Sequence, residues 1–303
     1  MKYLIATAFA SFVFLAGIQA QAKMPFELRL HENLAYLNQS DDLSVDSLQR
    51  LNLILPKMEA PYPLLIWIGG GAWSYVDRHQ ETGIAKQFAQ RGIGVASVGH
   101  RLSPATWRNP EWSSGIQHPK HIEDVAAAVH WLVEHAQEYG YDSEQLFIGG
   151  YSSGAHLAAL ISMDSTYLAS YQLSPSVFKG VIPISGTYDV VDYHQVFLNG
   201  SRPELAQLHV EAVFGDTQEQ LIAASPVQYM EGLQQPTLLM CDNNLHNYTR
   251  LFEDKIRETD FQQVQVVYSY EFSHAELWRH LAEAKSKYRN IIIDFIEEQV
   301  ARG

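Results

Sequence analysis

Apolar runs of about six residues, closed off by turn-forming residues, recur along the chain: PLLIWI at 63–68, GVASVG at 94–99, GVIPIS at 180–185, PTLLMC at 236–241 and QVQVVY at 263–268. Runs of this length with little polar interruption predict strands buried on both faces. Between the first two, residues 81–91 have helical spacing, giving strand, helix, strand. The pattern continues through a helix over 121–139, a strand ending before Ser152 and a last helix over 288–300. Such alternation predicts the α/β class, a mostly parallel central sheet with helices on both faces. In sheets of this kind reactive groups gather at the carboxyl ends of the strands. Residues 187–232 are longer than a simple crossover and rich in His, Tyr and Phe. They read either as a lid or cap inserted over the site or as an ordinary surface excursion.

The stretch LFIGGYSSGAHLAAL at 146–160 is the most informative of all, because it reads as strand, turn and helix around a Gly-x-Ser-x-Gly core. Gly150 and Gly154 flank Ser152 at two residues either side, which lets the backbone turn sharply and hold the serine strained and exposed. Ser152 is thereby nominated as a nucleophile.

The N-terminus changes where such chemistry would operate. Residues 1–22 carry one lysine, an apolar stretch and the ending Ala20-Gln21-Ala22. This is the pattern of a secretory signal peptide, with cleavage expected after Ala22 and a periplasmic or secreted product. Its apolar part is short for a full span, and no later segment is long and apolar enough to cross a bilayer. Residues 23–303 then read as one domain, since no linker interrupts them. The formal charge of −13, one unit more negative without Lys2, argues against nucleic acid and anionic membrane partners. Cys241 is the single cysteine, so no intramolecular disulfide is possible. We expect it buried at a strand end.

An activated serine needs a base, and the base needs an orienting acid. His274 follows the last predicted strand and precedes a helix, which makes it the candidate base ahead of His246 and His280. Asp242 stands at the end of the 236–241 strand and is the candidate acid, with Asp189 as its rival; a capping or turn role is the alternative for both. The glycine run at 69–71 follows the first core strand. The amides of Gly70 and Gly71, with that of Ser153 after the nucleophile, are the candidate oxyanion donors. No metal or organic cofactor is required by this chemistry. His118 and His121 alone are weak evidence for a metal site. Trp73, Trp107, Trp112 and Tyr188 either line an aromatic pocket or belong to the core.

Taken jointly, these stretches resemble α/β-hydrolases of the bacterial esterase and lipase type, close to the kynurenine formamidases and hormone-sensitive-lipase-like carboxylesterases. GGGAW at 69–73 is similar to that group's His-Gly-Gly-(Gly/Ala)-Trp loop, HRLSP at 100–104 to its Tyr-Arg-Leu-(Ser/Ala)-Pro, and GYSSGAH at 150–156 to its Gly-His-Ser-Ala-Gly-(Ala/Gly)-His. DVAAAVHW at 124–131 and SGTYD at 185–189 match in the same order. The resemblance covers about 61–296. It implies a Ser-His-Asp serine hydrolase cleaving carboxylic esters of small molecules, a structural ion pair between Arg101 and Asp124, and a packing role for His156. Three positions depart from the pattern. Gly69 replaces the histidine that opens the loop, Tyr151 replaces a frequent histidine beside the serine, and the acid loop is short. Aryl formamide cleavage and feruloyl-type esterase activity are alternatives of the same class. A non-catalytic binding module is the rival of another class, opposed by the intact serine turn.

Overall fold

The computed structural model describes residues 24–37 and 48–302, so the expected signal peptide lies outside the described residues. One sheet holds eight strands in the order β1-β2-β4-β3-β5-β6-β7-β8. They are β1 Leu28–Ala35, β2 Arg50–Pro56, β3 Leu64–Ile68, β4 Gly94–Val98, β5 Leu146–Tyr151, β6 Phe178–Ile184, β7 Thr237–Cys241 and β8 Val264–Tyr268. β2 runs antiparallel to both neighbours, and all pairings from β4 across to β8 are parallel. The expected mostly parallel sheet is therefore present, extended at one edge by β1 and β2, which the run pattern did not predict.

The helices are α1 Thr82–Ala89, α2 Lys120–Glu134, α3 Ala136–Tyr139, α4 Ser153–Met163, α5 Thr166–Ala169, α6 Val190–Leu198, α7 Ala212–Phe214, α8 Gln218–Ala223, α9 His246–Arg257, α10 His274–Ala282 and α11 Lys287–Arg302. They cover both faces, as β3 makes plain. All five of its residues are buried. Leu64, Ile66 and Ile68 join Ile122 and Val125 of α2 and Leu157 of α4 in one apolar cluster. Leu65 and Trp67 point the other way, into a cluster with Ile84 and Phe88 of α1 and Ile292 and Ile296 of α11. Burying side chains on both faces, at roughly 1.5–3 kcal/mol for each large one, holds the strand that ends at the glycine loop.

One expectation needs correction. The helix expected over 121–139 breaks at His135, whose ring stacks on Trp131 at 4.0 Å, and resumes as α3 up to the left-handed Gly140. Residues 187–232 form a layer containing α6, a π-helical turn at Ala206–Glu211, α7, α8 and a 3-10 stretch at Pro226–Gly232. This layer packs on Trp73, whose ring meets Tyr193, His209 and Phe214. Cys241 is buried at the end of β7, and burial pushes its thiol up to about 12, leaving it inert at neutral pH.

Candidate active site

β5 delivers Ser152 to the carboxyl end of the sheet, and α4 begins one residue later. Ser152 has φ 56° and ψ −118°, a conformation that costs a non-glycine residue energy and persists because its surroundings hold it. Its amide donates to the Ile184 carbonyl of β6 at 2.9 Å. The two flanking glycines are required by close approach. A Cβ at Gly154 would lie 2.0 Å from the Ile68 carbonyl oxygen, and one at Gly150 would lie 2.6 Å from the same atom and from the Gly154 backbone.

The glycine loop leaves β3 directly opposite. Gly71 has φ +147°, and a Cβ there would sit 2.6 Å from the Val76 amide nitrogen. Ala72 and Trp73 also take positive φ, and the Ser74 and Tyr75 amides both donate to the Gly71 carbonyl at 2.9 Å. Among the described residues, the Gly70 and Gly71 amides donate to no other group of the protein. Ser153 opens α4, where the first-turn amides have no partner within the helix. Trp73 is anchored by its indole N–H, which donates to His156 Nδ1 at 3.2 Å, while His156 Nε2 donates to the Ala224 carbonyl at 2.7 Å. Burial holds His156 down to about 3, so it stays neutral in this bridge.

β7 ends at Cys241, and Asp242 follows with no exposed surface. Asp242 Oδ2 lies 2.7 Å from His274 Nδ1. Its Oδ1 accepts from the Asn244 and Leu245 amides at 2.8 and 3.1 Å, and its own amide donates to Ser185 Oγ at 2.9 Å. Burial raises this carboxyl, but the bonds with His274 and Ser185, the imidazole's charge and the Leu245 amide outweigh it and hold the group below its ordinary value. The short acid loop thus closes on Asp242 itself, and Asn244 Oδ1 in turn accepts from the His274 amide at 2.8 Å. Asp189 is elsewhere: it caps α6 by accepting from the Asp192 amide at 3.0 Å. His280 pairs with Glu283, and His246 packs against Tyr268 and Tyr270.

Ser152 and His274 line one cavity of about 330 Å³, together with Gly70, Gly71, Tyr75, Gln80, Glu81, Arg108, Tyr151, Ala275 and Trp278. No hydrogen bond joins the serine to the imidazole among the described residues; contacts of this type commonly tighten only when substrate is bound. The layer at 187–232 contributes no lining residue to this cavity, so it flanks the glycine loop rather than covering the serine. None of the four candidate aromatics lines this cavity. Trp73 and Tyr188 are core residues, Trp107 packs on Tyr75 and His209, and Trp112 borders a neighbouring groove. His121 is held by Ser103 Oγ at 2.8 Å, and His118 packs against Tyr167 and Phe214. Arg101 and Asp124 form a multiply bonded pair with a shortest contact of 2.7 Å.

Two residues that sequence reasoning left out belong to this site. Tyr151 OH is shared between Asp242 Oδ2 at 3.1 Å and the His274 carbonyl at 2.5 Å, tying the serine strand to both groups. Glu81 is buried behind Gly69: its Oε2 accepts from the Trp67 indole at 2.8 Å and its Oε1 from the Trp278 indole at 3.1 Å. Burial pushes its carboxyl up to about 7, against the pull of these two bonds.

A family model described as BD-FAE matches residues 51–244, which takes in the glycine loop, Ser152 and Asp242 and stops short of His274. Esterase LipQ of Mycobacterium tuberculosis is 27% identical over 59% of this chain and 41% of its own length. Kynurenine formamidase of Danio rerio is 29% identical over 50% of this chain and 46% of its own. The aligned part of the chain therefore spans under half the length of either curated relative. Among solved structures, an inhibited esterase B from Lactobacillus rhamnosis superposes with a TM-score of 0.74 at 19% identity, covering 92% of this chain and 90% of that one.

Proposed function

This chain belongs to the BD-FAE family and has the α/β-hydrolase fold, and from that premise we propose that it is an exported serine hydrolase cleaving carboxylic esters through an acyl-enzyme. The observation that carries this reading is the strained Ser152 turn, opening on the same cavity as a His274 ring bonded to buried Asp242.

Ser152 Oγ attacks the ester carbonyl carbon while its proton passes to His274 Nε2. Asp242 fixes the ring through Nδ1 and stabilises the imidazolium. The negative oxygen of the tetrahedral intermediate is met by the amides of Gly70, Gly71 and Ser153, each such donor contributing on the order of a hundredfold in rate. Collapse breaks the bond to the alcohol, which leaves with the His274 proton. Water then gives its proton to His274 and attacks the acyl carbon, and Ser152 recovers its hydrogen as the acid departs. The match to a kynurenine formamidase keeps aryl formamides beside aryl and feruloyl-type esters as candidate substrates.

The test is intact-mass analysis after exposure to a fluorophosphonate, which needs no guess about substrate. One adduct on the wild type, absent from Ser152→Ala, is the expected result, with turnover of an ester and formamide panel lost in the same variant. A folded wild type that takes no adduct and turns over nothing would favour a binding module. Export predicts that the protein recovered from the periplasm or medium begins at Lys23.

A further inference from the structure

At Gly69, which opens the glycine loop, the space that a side chain would need is occupied. A Cβ at Gly69 would lie 2.8 Å from Glu81 Oε1 and 3.0 Å from the carboxyl carbon. Glu81 is only 2% exposed, and no cation lies within ion-pairing distance of it among the described residues. A carboxyl buried without a cation is costly and calls for an explanation.

Its partners supply one. Trp67 is the fourth residue of β3, the strand that runs directly into the glycine loop. Trp278 is on α10, the helix whose first residue is His274. Glu81 itself sits at the start of α1, and its side chain lies against Gly69. One carboxyl therefore joins the strand that carries the oxyanion amides to the helix that carries the base, using one oxygen for each indole as the nearer contact.

We propose that Glu81 is a positioning residue: by accepting from Trp67 and Trp278 behind Gly69, it holds the Gly70–Gly71 amides and His274 in register across the Ser152 cavity. The inference rests on the serine hydrolase reading above. The identity of the group matters because an ionised carboxyl offers two acceptor oxygens, whereas an amide of the same shape offers one and turns a donor toward the other indole. Glu81→Gln therefore leaves one acceptor oxygen for two indoles, with Oε2 at 2.8 Å from Trp67 and 3.3 Å from Trp278, and turns its amide N–H toward one of them, weakening the hold on the loop or on α10.

The experiment compares wild type, Glu81→Gln and Trp278→Phe by fluorophosphonate labelling rate and by kcat and KM on the ester that the wild type turns over best, with circular dichroism and thermal melting to establish folding. In Glu81→Gln, kcat and the labelling rate are expected to fall on the order of tenfold to a hundredfold, with KM moving by about threefold or less, since the displaced groups act on the transition state. Trp278→Phe, which keeps the carboxyl and removes the donor on α10, is expected to move kcat in the same direction, and it serves as the deciding variant if Glu81→Gln does not fold. Folded variants that melt earlier but label and turn over within about twofold of wild type would make Glu81 merely structural and overturn the proposal. A wild type that takes no label and turns over no ester would bring down the hydrolase reading and this inference with it, whereas equal rates across labelled proteins would bring down the inference alone.

Discussion

Asp242 and Glu81 are both buried carboxyls, and their surroundings push them in opposite directions. Asp242 gathers an imidazole, a hydroxyl and a backbone amide, which together overcome its burial and keep it ionised. Glu81 has two indole donors, which do not overcome burial and the nearby Asp77 charge, so it rises to about 7 from an ordinary 4.5. The sign of the linkage follows from that rise. Glu81 contributes stability in its protonated form, fully present below 4.5 and lost as pH climbs through about 7. A rise of that size corresponds to roughly 3 kcal/mol. Buried neutral histidines such as His118 and His156, held down to about 4 and about 3, run the other way and lose their contribution as pH falls. The Glu81 part is therefore isolated by difference. Between pH 5 and pH 8.5, urea unfolding should show wild type losing roughly 3 kcal/mol relative to Glu81→Gln, with unchanged m-values. Parallel stability profiles for the two proteins would mean that the carboxyl titrates near its ordinary value.

At the scale of elements, the turn around Ser152 leaves no room for adjustment. β3 is paired on both sides, to β4 and β5, so the Ile68 carbonyl cannot retreat from a side chain added at Gly154. Gly154→Ala should cost about 3 kcal/mol or more, or yield no soluble protein. Gly83 is the control: it lies within α1, and a Cβ there would meet only Ala282 Cβ at 3.5 Å, so Gly83→Ala should be neutral or gain a few tenths to about 1 kcal/mol. Thermal melting of both variants checks the contrast, and a soluble Gly154→Ala with a wild-type midpoint would mean the turn relaxes. The same packing explains what could be read from sequence. β3 to β7 are buried on both faces and so appear as plain apolar runs, and the turn betrays itself through its two glycines. β1 is half-exposed, interrupted by His31, Glu32 and Asn33 and bulged between His31 and Leu34, so neither a run nor an alternation survives. β2 carries Asn52, whose Oδ1 accepts from the Asn33 amide across the strand pair. The pairing of His274 with Asp242 at 2.7 Å was legible from position alone, because both follow strands of the sheet at their carboxyl ends. Glu81 was not legible, since a glutamate opening a helix reads as a solvated residue.

Across the whole molecule, the layer at 187–232 is bound into the core. Val190, Val210, Val213, Phe214, Leu221 and Ala224 belong to the same buried cluster as Leu53 of β2 and Ile66 of β3. Two further ties fasten it, His156 to the Ala224 carbonyl at 2.7 Å and the His118 amide to the Val213 carbonyl at 2.7 Å, while the Val190 amide closes the layer on itself by donating to Ser225 Oγ at 2.9 Å. A cover that opens for each turnover is drawn from the least stable part of a structure, with few buried apolar contacts. This layer has the opposite character, and it reaches the site through Trp73 at the end of the glycine loop and through Trp107, which packs between His209 and Tyr75. Opening it would unseat Trp73 and expose the cluster beneath β2 and β3, at a cost close to that of unfolding the domain. Native-state hydrogen exchange should therefore find the amides of Val213, Phe214 and Leu221 protected to within about 1–2 kcal/mol of those in β3 and β5. Exchange several orders of magnitude faster in this layer than in the sheet would instead identify it as an independently opening lid, and access to Ser152 would then be gated from the side of Trp73.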